Sequence, residues 1–213
     1  ESLVAFTFFF RDSQILEMLI EHSLPAMCGQ SHIRIWDAGC AHGPEPYSLA
    51  ILLRERMSEF LFRNVRIHAT DIDPSFASKV TLGTYPEGEL KRIPPDLFER
   101  YFRAVEKPGH FQIVDEIRSR FEFAVHDLLS LRPIREGFTL IVCKNVLLHF
   151  DEQRRCDVLR MFHAAMHNDG LLAMEHTQKM PEALRPLFQQ VAPNAQVYRK
   201  IEFSPGPAWQ MSA

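Results

Sequence analysis

A short segment with two glycines is the first candidate for ligand binding. Gly39 and Gly43 lie between a predicted strand and a predicted helix, where glycine lets the backbone approach a ligand at the amino end of the helix. The segment lacks the full G-x-G-x-x-G spacing, so a dinucleotide is not favoured. The same two glycines could instead serve only a tight turn, and the spacing leaves both interpretations open.

Polar side chains also follow three other predicted strands. Asp71 ends the second strand, where a carboxylate can accept hydrogen bonds from both hydroxyls of a ribose; alternatively, it could cap the next helix. Asp127 and Asn145 follow two later strands. Because the carboxyl ends of parallel strands meet at one edge of a sheet, these groups and the glycine segment together predict an adenosine pocket.

The elements that would position these loops alternate between strand and helix. Apolar residues at helical spacing predict a first helix at 13–27, which Asp12 or Ser13 can cap. The predicted strands are 33–39, 64–69, 121–125, 138–143 and 171–175. Further helices are predicted at 46–62, from Pro74 onward and at 152–167. Residues 195–203 and 208–211 are predicted to form a closing antiparallel pair of strands. This order is typical of an α/β fold with a parallel sheet.

The pattern loosens in residues 83–120, where prolines and glycines surround a short helix at 97–102 and a hairpin at 110–114. We therefore expect a single domain over residues 1–213, with 83–120 as an inserted subdomain.

Composition excludes several classes of protein. The chain has 213 residues, 46% of them hydrophobic, and a formal net charge of −3, which argues against a nucleic-acid substrate. Cys28, Cys40, Cys143 and Cys156 lack the spacing of zinc ligands, so we expect reduced, buried thiols and no metal. No stretch has the ~20 apolar residues that cross a bilayer, which predicts a cytoplasmic protein without membrane insertion. Because the chain starts without Met, we also expect a fragment of a longer protein.

Several motifs occur in the order found in one known family. They are Phe8-Phe9-Phe10-Arg11-Asp12, the segments 41–48 and 69–73, Cys143-Lys144-Asn145-Val146 with Phe150 and Asp151, and Asp169-Gly170-Leu171-Leu172. Over nearly the whole chain they resemble the CheR family of chemotaxis receptor methyltransferases. The resemblance implies a Rossmann-like, seven-stranded α/β fold of S-adenosylmethionine-dependent methyltransferases with a small inserted β-subdomain. The family's usual N-terminal helical subdomain is not in this sequence.

The resemblance also implies an activity. The cofactor would be S-adenosylmethionine and the product S-adenosylhomocysteine. The reaction would be O-methylation of glutamate carboxylates on the cytoplasmic domain of a chemotaxis receptor, or on another protein. We expect the enzyme to be a monomer.

The resemblance assigns roles to particular residues. Arg11 and His149 would be catalytic, with Thr7 and Arg11 at the mouth that cofactor and substrate share. With Gly39 from the glycine segment, the predicted cofactor-binding residues are Thr7, Arg11, Gly39, Glu45, Asp71, Asp127, Leu128, Asn145 and Val146.

This reaction needs alignment rather than a general base. A glutamate carboxyl with a pKa near ~4.3 is already ionised at neutral pH. Arg11 could orient that carboxylate through a two-pronged hydrogen bond, or it could form only a surface ion pair with Asp12. His149 could orient the substrate or be structural.

Four positions depart from the family's usual residues. Ala5 replaces an Asn, His42 a Thr, Lys144 an Arg and His149 a Tyr. These departures leave two other functions open: a small-molecule methyltransferase of the same fold, and a non-catalytic module that senses the cofactor.

Overall fold

A central β-sheet with helices on both faces organises the chain. The computed structural model describes residues 7–202, so the predictions that concern Ala5 and 208–211 lie outside the described residues. In chain order the elements are α1 (Ser13–Met27), β1 (Ile33–Ala38), α2 (Pro44–Arg56), α3 (Glu59–Phe62), β2 (Val65–Asp71), α4 (Phe76–Leu82), β3 (Thr84–Pro86), α5 (Glu87–Leu90), α6 (Pro95–Tyr101), β4 (Phe102–Ala104), β5 (His110–Ile113), α7 (Asp115–Arg118), β6 (Phe121–Val125), β7 (Phe138–Cys143), α8 (Glu152–Ala165), β8 (Met166–Met174), β9 (Phe188–Gln190) and β10 (Val197–Lys200).

Seven strands form the central sheet in the order β6-β2-β1-β7-β8-β10-β9. The first five are parallel, and β10 and β9 continue the sheet as antiparallel strands. This arrangement confirms the predicted seven-stranded α/β fold. From β1 the chain adds β2 and β6 on one side of the sheet and then returns to add β7 and β8 on the other side. Ligands of open α/β sheets bind in the crevice where the direction of strand addition reverses in this way, here between β1 and β7.

The predicted element bounds agree with the structure where apolar periodicity is strong. The predicted bounds of α1, β6 and β7 match the structure at both ends. The prediction of a single helix at 46–62 is wrong. Helix α2 ends at Arg56, and the separate helix α3 begins after Ser58, whose side chain accepts a hydrogen bond from Leu61 N (3.2 Å). The closing pair joins β10 to β9 (Phe188–Gln190), a strand that the sequence did not predict.

A second, three-stranded sheet lies between β2 and β6 of the chain, with the strand order β3-β5-β4. The segment predicted as a hairpin is its central strand, β5, which pairs with both neighbours. Three short helices, α5, α6 and α7, accompany it. We call this unit the inserted sheet; the division of the chain into domains stays a prediction.

Phe9 joins the amino-terminal segment to the inserted sheet. Its ring is fully buried and makes edge contacts with Tyr85 (centroid distance 4.9 Å) and Phe102 (5.8 Å). The next residue, Phe10, packs against the same core, and its N–H donates to Ser48 Oγ on α2 (2.8 Å). One aromatic anchor therefore fixes the segment that carries Thr7 and Arg11.

Two sequence predictions concern cysteines and membranes. Cys40, Cys143 and Cys156 are buried free thiols as expected, but Cys28 is exposed because it lies at the end of α1.

Among residues 7–202, no helix combines the length and the apolar character that crossing a bilayer requires.

Replacing Phe9 with Ala is expected to destabilise the fold by about 3–5 kcal/mol, because a fully buried ring leaves a cavity. Urea unfolding measures this difference. The matched control is Phe60→Ala, at a ring that is 80% exposed, which should change stability by less than about 0.5 kcal/mol. Equal losses for the two variants would contradict the anchoring role of Phe9.

Candidate active site

The glycine segment forms a tight loop at the carboxyl end of β1. Gly39, Ala41 and Gly43 have φ values of 95°, 48° and 102°, in the left-handed region that glycine adopts without strain. The N–H of Gly39 donates to Thr70 O (2.8 Å), which ties the loop to the end of β2. A Cβ on Gly39 would overlap Cγ2 of Val146, so these two predicted cofactor residues are in contact.

Asp71 supports this loop with its carboxylate. Its Oδ2 accepts a hydrogen bond from Ala41 N (2.9 Å) and its Oδ1 accepts one from Asp73 N (3.0 Å). The cap residue of α4 is Ser75, so the alternative prediction of a helix cap at Asp71 is wrong. Each carboxylate oxygen has a second lone pair that remains available for a ligand hydroxyl.

Lys144 is a buried cation at the end of β7. Its side chain is only 2% exposed, and its Nζ lies 2.7 Å from Glu45 Oε2 and 3.2 Å from Asp12 Oδ2. Burial lowers the pKa of Lys144, but the charges and hydrogen bonds of Glu45 and Asp12 outweigh burial and raise the pKa above its usual value. Lys144 therefore stays charged, and it links the first turn of α2 to the amino end of α1.

Asp37, on β1, is a buried carboxylate of the same cluster. It is 1% exposed, and its Oδ2 has no hydrogen-bond partner within the described residues. Burial raises its pKa well above the usual range; Glu45 and Asp71 raise it further, and Lys144 opposes them. The acidic side chains of Asp12, Asp37, Glu45 and Asp71 thus lie in one cluster with the Lys144 ammonium.

Arg11 lies beside this cluster. Its Nε is 4.0 Å from Asp12 Oδ2, and its guanidinium carbon is 5.7 Å from the centre of the Phe8 ring. The ion pair with Asp12 that the sequence left open is present, but its length exceeds that of a hydrogen bond. Asp12 is the N-cap residue of α1, one of the two predicted positions, but its side chain makes no capping hydrogen bond and its carboxylate pairs with Lys144 instead.

Asn145 follows Lys144 on the same loop. It is exposed with a φ of 60°, a conformation that Asn tolerates better than most residues. Its N–H donates to Oε2 of Glu175 (3.1 Å), and Glu175 is 4% exposed. The loop after β7 is therefore held against the end of β8.

The remaining predicted site residues differ in their exposure to solvent. Thr7 is half-buried and His149 is exposed. Asp127 is exposed and its Oδ1 accepts from Leu129 N (2.8 Å), whereas Leu128 is buried in the core beneath the sheet.

Sequence reasoning missed the central group. No role was assigned to Asp37 from the sequence, although it is the single carboxylate of β1, a usable signal in a strand that is predicted to be buried. Lys144 was noted only as a departure from a family pattern, and its pairing with Glu45 spans 99 residues. Among residues 7–202, no group of three or more His, Cys, Asp or Glu side chains is placed to bind a metal ion.

The fold and the site define a methyltransferase of the Rossmann-like class. The solved rRNA methyltransferase aviRa from Streptomyces viridochromogenes superposes with a TM-score of 0.55 at 14% identity, covering 94% of this chain and 88% of that chain. The family model described as CheR methyltransferase, SAM binding domain matches residues 5–197. The chain therefore belongs to the CheR methyltransferase family through its S-adenosylmethionine-binding domain, and S-adenosylmethionine is its cofactor.

Curated relatives agree with this membership. A probable chemotaxis protein methyltransferase of Rhizobium etli is 29% identical, with 87% of this chain and 72% of that protein aligned. Chemotaxis protein methyltransferases of Borreliella burgdorferi and Salmonella typhimurium are each 32% identical, over 81% and 84% of this chain. The chain spans only 63% and 62% of the length of these last two.

The carboxylate cluster fits this cofactor. S-adenosylmethionine carries a sulfonium and an ammonium against one carboxylate, so it brings a net positive charge. Asp37 has a buried oxygen without a hydrogen-bond partner in residues 7–202, and the negative charges of Glu45 and Asp71 add to its surroundings, opposed by Lys144. A cationic ligand at this edge would relieve the excess of negative charge.

Replacing Asp37 with Asn is expected to stabilise the cofactor-free protein at neutral pH. The folded-state pKa of Asp37 is raised, so the native state holds a proton that the unfolded state has lost, and wild-type stability falls as pH rises above about 4. Asn has no carboxyl proton to lose, so the free energy by which the variant is more stable than wild type should grow as the pH rises from about 4 toward neutral. Urea unfolding across this range checks it; parallel pH profiles for the two proteins would contradict it.

Proposed function

We propose that the protein containing this domain transfers a methyl group from S-adenosylmethionine to glutamate carboxylates on the cytoplasmic domain of a chemotaxis receptor or a receptor-like protein. In this proposal the acceptor is a protein rather than a nucleic acid, and the enzyme acts in the cytoplasm as a monomer. The observation that carries the proposal is the cluster of acidic side chains around Lys144, at the sheet edge where strand order reverses.

The cofactor side of the proposed site uses the strand ends. Bound S-adenosylmethionine supplies a methyl group on a positively charged sulfur. Asp71 would accept hydrogen bonds from the ribose hydroxyls, and Asp37 and Glu45 would face the cationic part. The remaining proposed contacts come from Thr7, Gly39, Asp127, Leu128, Asn145 and Val146.

The acceptor side of the proposed site uses Arg11. A planar guanidinium can hold a carboxylate by two hydrogen bonds and so align it for in-line attack on the methyl carbon. Such alignment is worth roughly 7–11 kcal/mol when the reacting atoms are well oriented. The oxygen Oδ2 of the neighbouring Asp12 lies 4.0 Å from Arg11 Nε and 3.2 Å from Lys144 Nζ. His149 would contact the acceptor from the loop after β7.

Two variants separate acceptor alignment from cofactor binding. Arg11→Ala should lower kcat at least about 100-fold, because alignment of the carboxylate is lost, while S-adenosylhomocysteine affinity stays within about tenfold. Asp71→Ala should instead weaken cofactor binding by about 10- to 100-fold, because hydrogen bonds to a charged group are lost. Methylation of receptor fragments with labelled cofactor and calorimetry measure both effects.

The matched control for Arg11 is Arg56→Ala at the exposed end of α2, which should keep wild-type values. Full activity of Arg11→Ala would remove Arg11 from the mechanism. Wild-type protein that binds the cofactor and methylates only small molecules, or nothing, would replace the proposed function with one of the two alternatives.

A further inference from the structure

A groove separate from the cofactor residues opens beside the loop after β7. It has a volume of about 470 Å³ and lies between the amino end of α8 and the chain that follows β8. Its lining residues are Glu152, Arg155, Thr177, Gln178, Lys179 and Pro181. All the residues proposed for cofactor binding or catalysis lie elsewhere.

Two cations that form no ion pair among the described residues line this groove. Within residues 7–202, neither Arg155 nor Lys179 has a carboxylate oxygen within 4 Å. Arg155 donates through Nη2 to Phe150 O (3.2 Å), but its buried Nε has no acceptor in the same part of the chain. A buried guanidinium N–H without an acceptor is costly, so it marks a place where a ligand oxygen would be stabilised.

Glu175 connects the groove to the proposed active site. Its Oε2 accepts the hydrogen bond from Asn145 N, while its buried Oε1 has no partner in the described residues. Burial raises the pKa of Glu175, and backbone hydrogen bonds, including the one from Asn145, together with the charge of Arg155 oppose that rise. One carboxylate thus lies between the loop that carries Asn145 and His149 and the cation of the groove.

We propose that this groove binds an acidic side chain of the acceptor protein, next to the glutamate that is methylated. This inference rests on the proposed function and names a subsite for it. Arg155 and Lys179 supply two positive charges and Glu152 one negative charge, so the groove suits a single carboxylate rather than a polyphosphate. The guanidinium fork of Arg155 matches the planar carboxylate group.

The test uses the full chain with two double variants that remove the same charge. Arg155→Gln with Lys179→Gln alters the groove. Arg56→Gln with Arg160→Gln, at two exposed arginines on α2 and α8, is the control. Methyl transfer to a receptor cytoplasmic fragment gives kcat and KM, and calorimetry gives the affinity for S-adenosylhomocysteine.

The groove variant should raise KM for the acceptor about tenfold, with kcat and S-adenosylhomocysteine affinity within twofold of wild type, and the control should match wild type. Arg155→Lys with Lys179→Arg should restore most of the loss. An unchanged acceptor KM, or a loss confined to cofactor affinity, would overturn the subsite.

Failure of the proposed function gives a different result. If wild-type protein transfers no methyl group, calorimetry with a synthetic glutamate-rich peptide and its glutamine counterpart decides the groove alone. Binding of the glutamate peptide that the groove variant loses supports the subsite, and equal binding of both peptides overturns it.

Discussion

The pairing of the buried Lys144 ammonium with Glu45 and Asp12 is the interaction on which this site depends. It holds the end of β7, the first turn of α2 and the start of α1 together. Breaking a buried ion pair typically costs about 3–5 kcal/mol, because the remaining charge is left without compensation. The cluster holds four acidic side chains, those of Asp12, Asp37, Glu45 and Asp71, around Lys144, with Arg11 4.0 Å from Asp12, and this acidic surrounding suits a cationic cofactor.

The rest of the fold places other groups around this centre. The reversal of strand order between β1 and β7 brings the glycine loop, Asp37 and Lys144 to one crevice. The inserted sheet supports the site indirectly, because its Tyr85 donates a hydrogen bond to His42 O (2.7 Å) in the glycine loop and its ring packs on Phe9. The insertion therefore supports both the glycine loop and the segment that carries Arg11.

Local patterns predicted much of this architecture and little of the charge pairing. The bounds of α1, β6 and β7 follow from apolar periodicity, and the place of Asp71 follows from a strand end; these are local signals. The hairpin was predicted within 110–114, but this segment is the single strand β5, which pairs with the adjacent strand β4 and with β3 at the start of the insertion. The role of Lys144 depends on a partner 99 residues away, which spacing along the chain does not reveal.

The most direct measurement of the central claim is the number of protons released when S-adenosylmethionine binds. Calorimetry in buffers of different ionisation enthalpy, between pH 5 and pH 8, gives this number for wild-type protein and for Asp37→Asn. A cationic ligand that completes the carboxylate cluster lowers the raised pKa of Asp37, so wild type should release a proton that the variant does not. Identical proton release by both proteins at every pH would contradict the account.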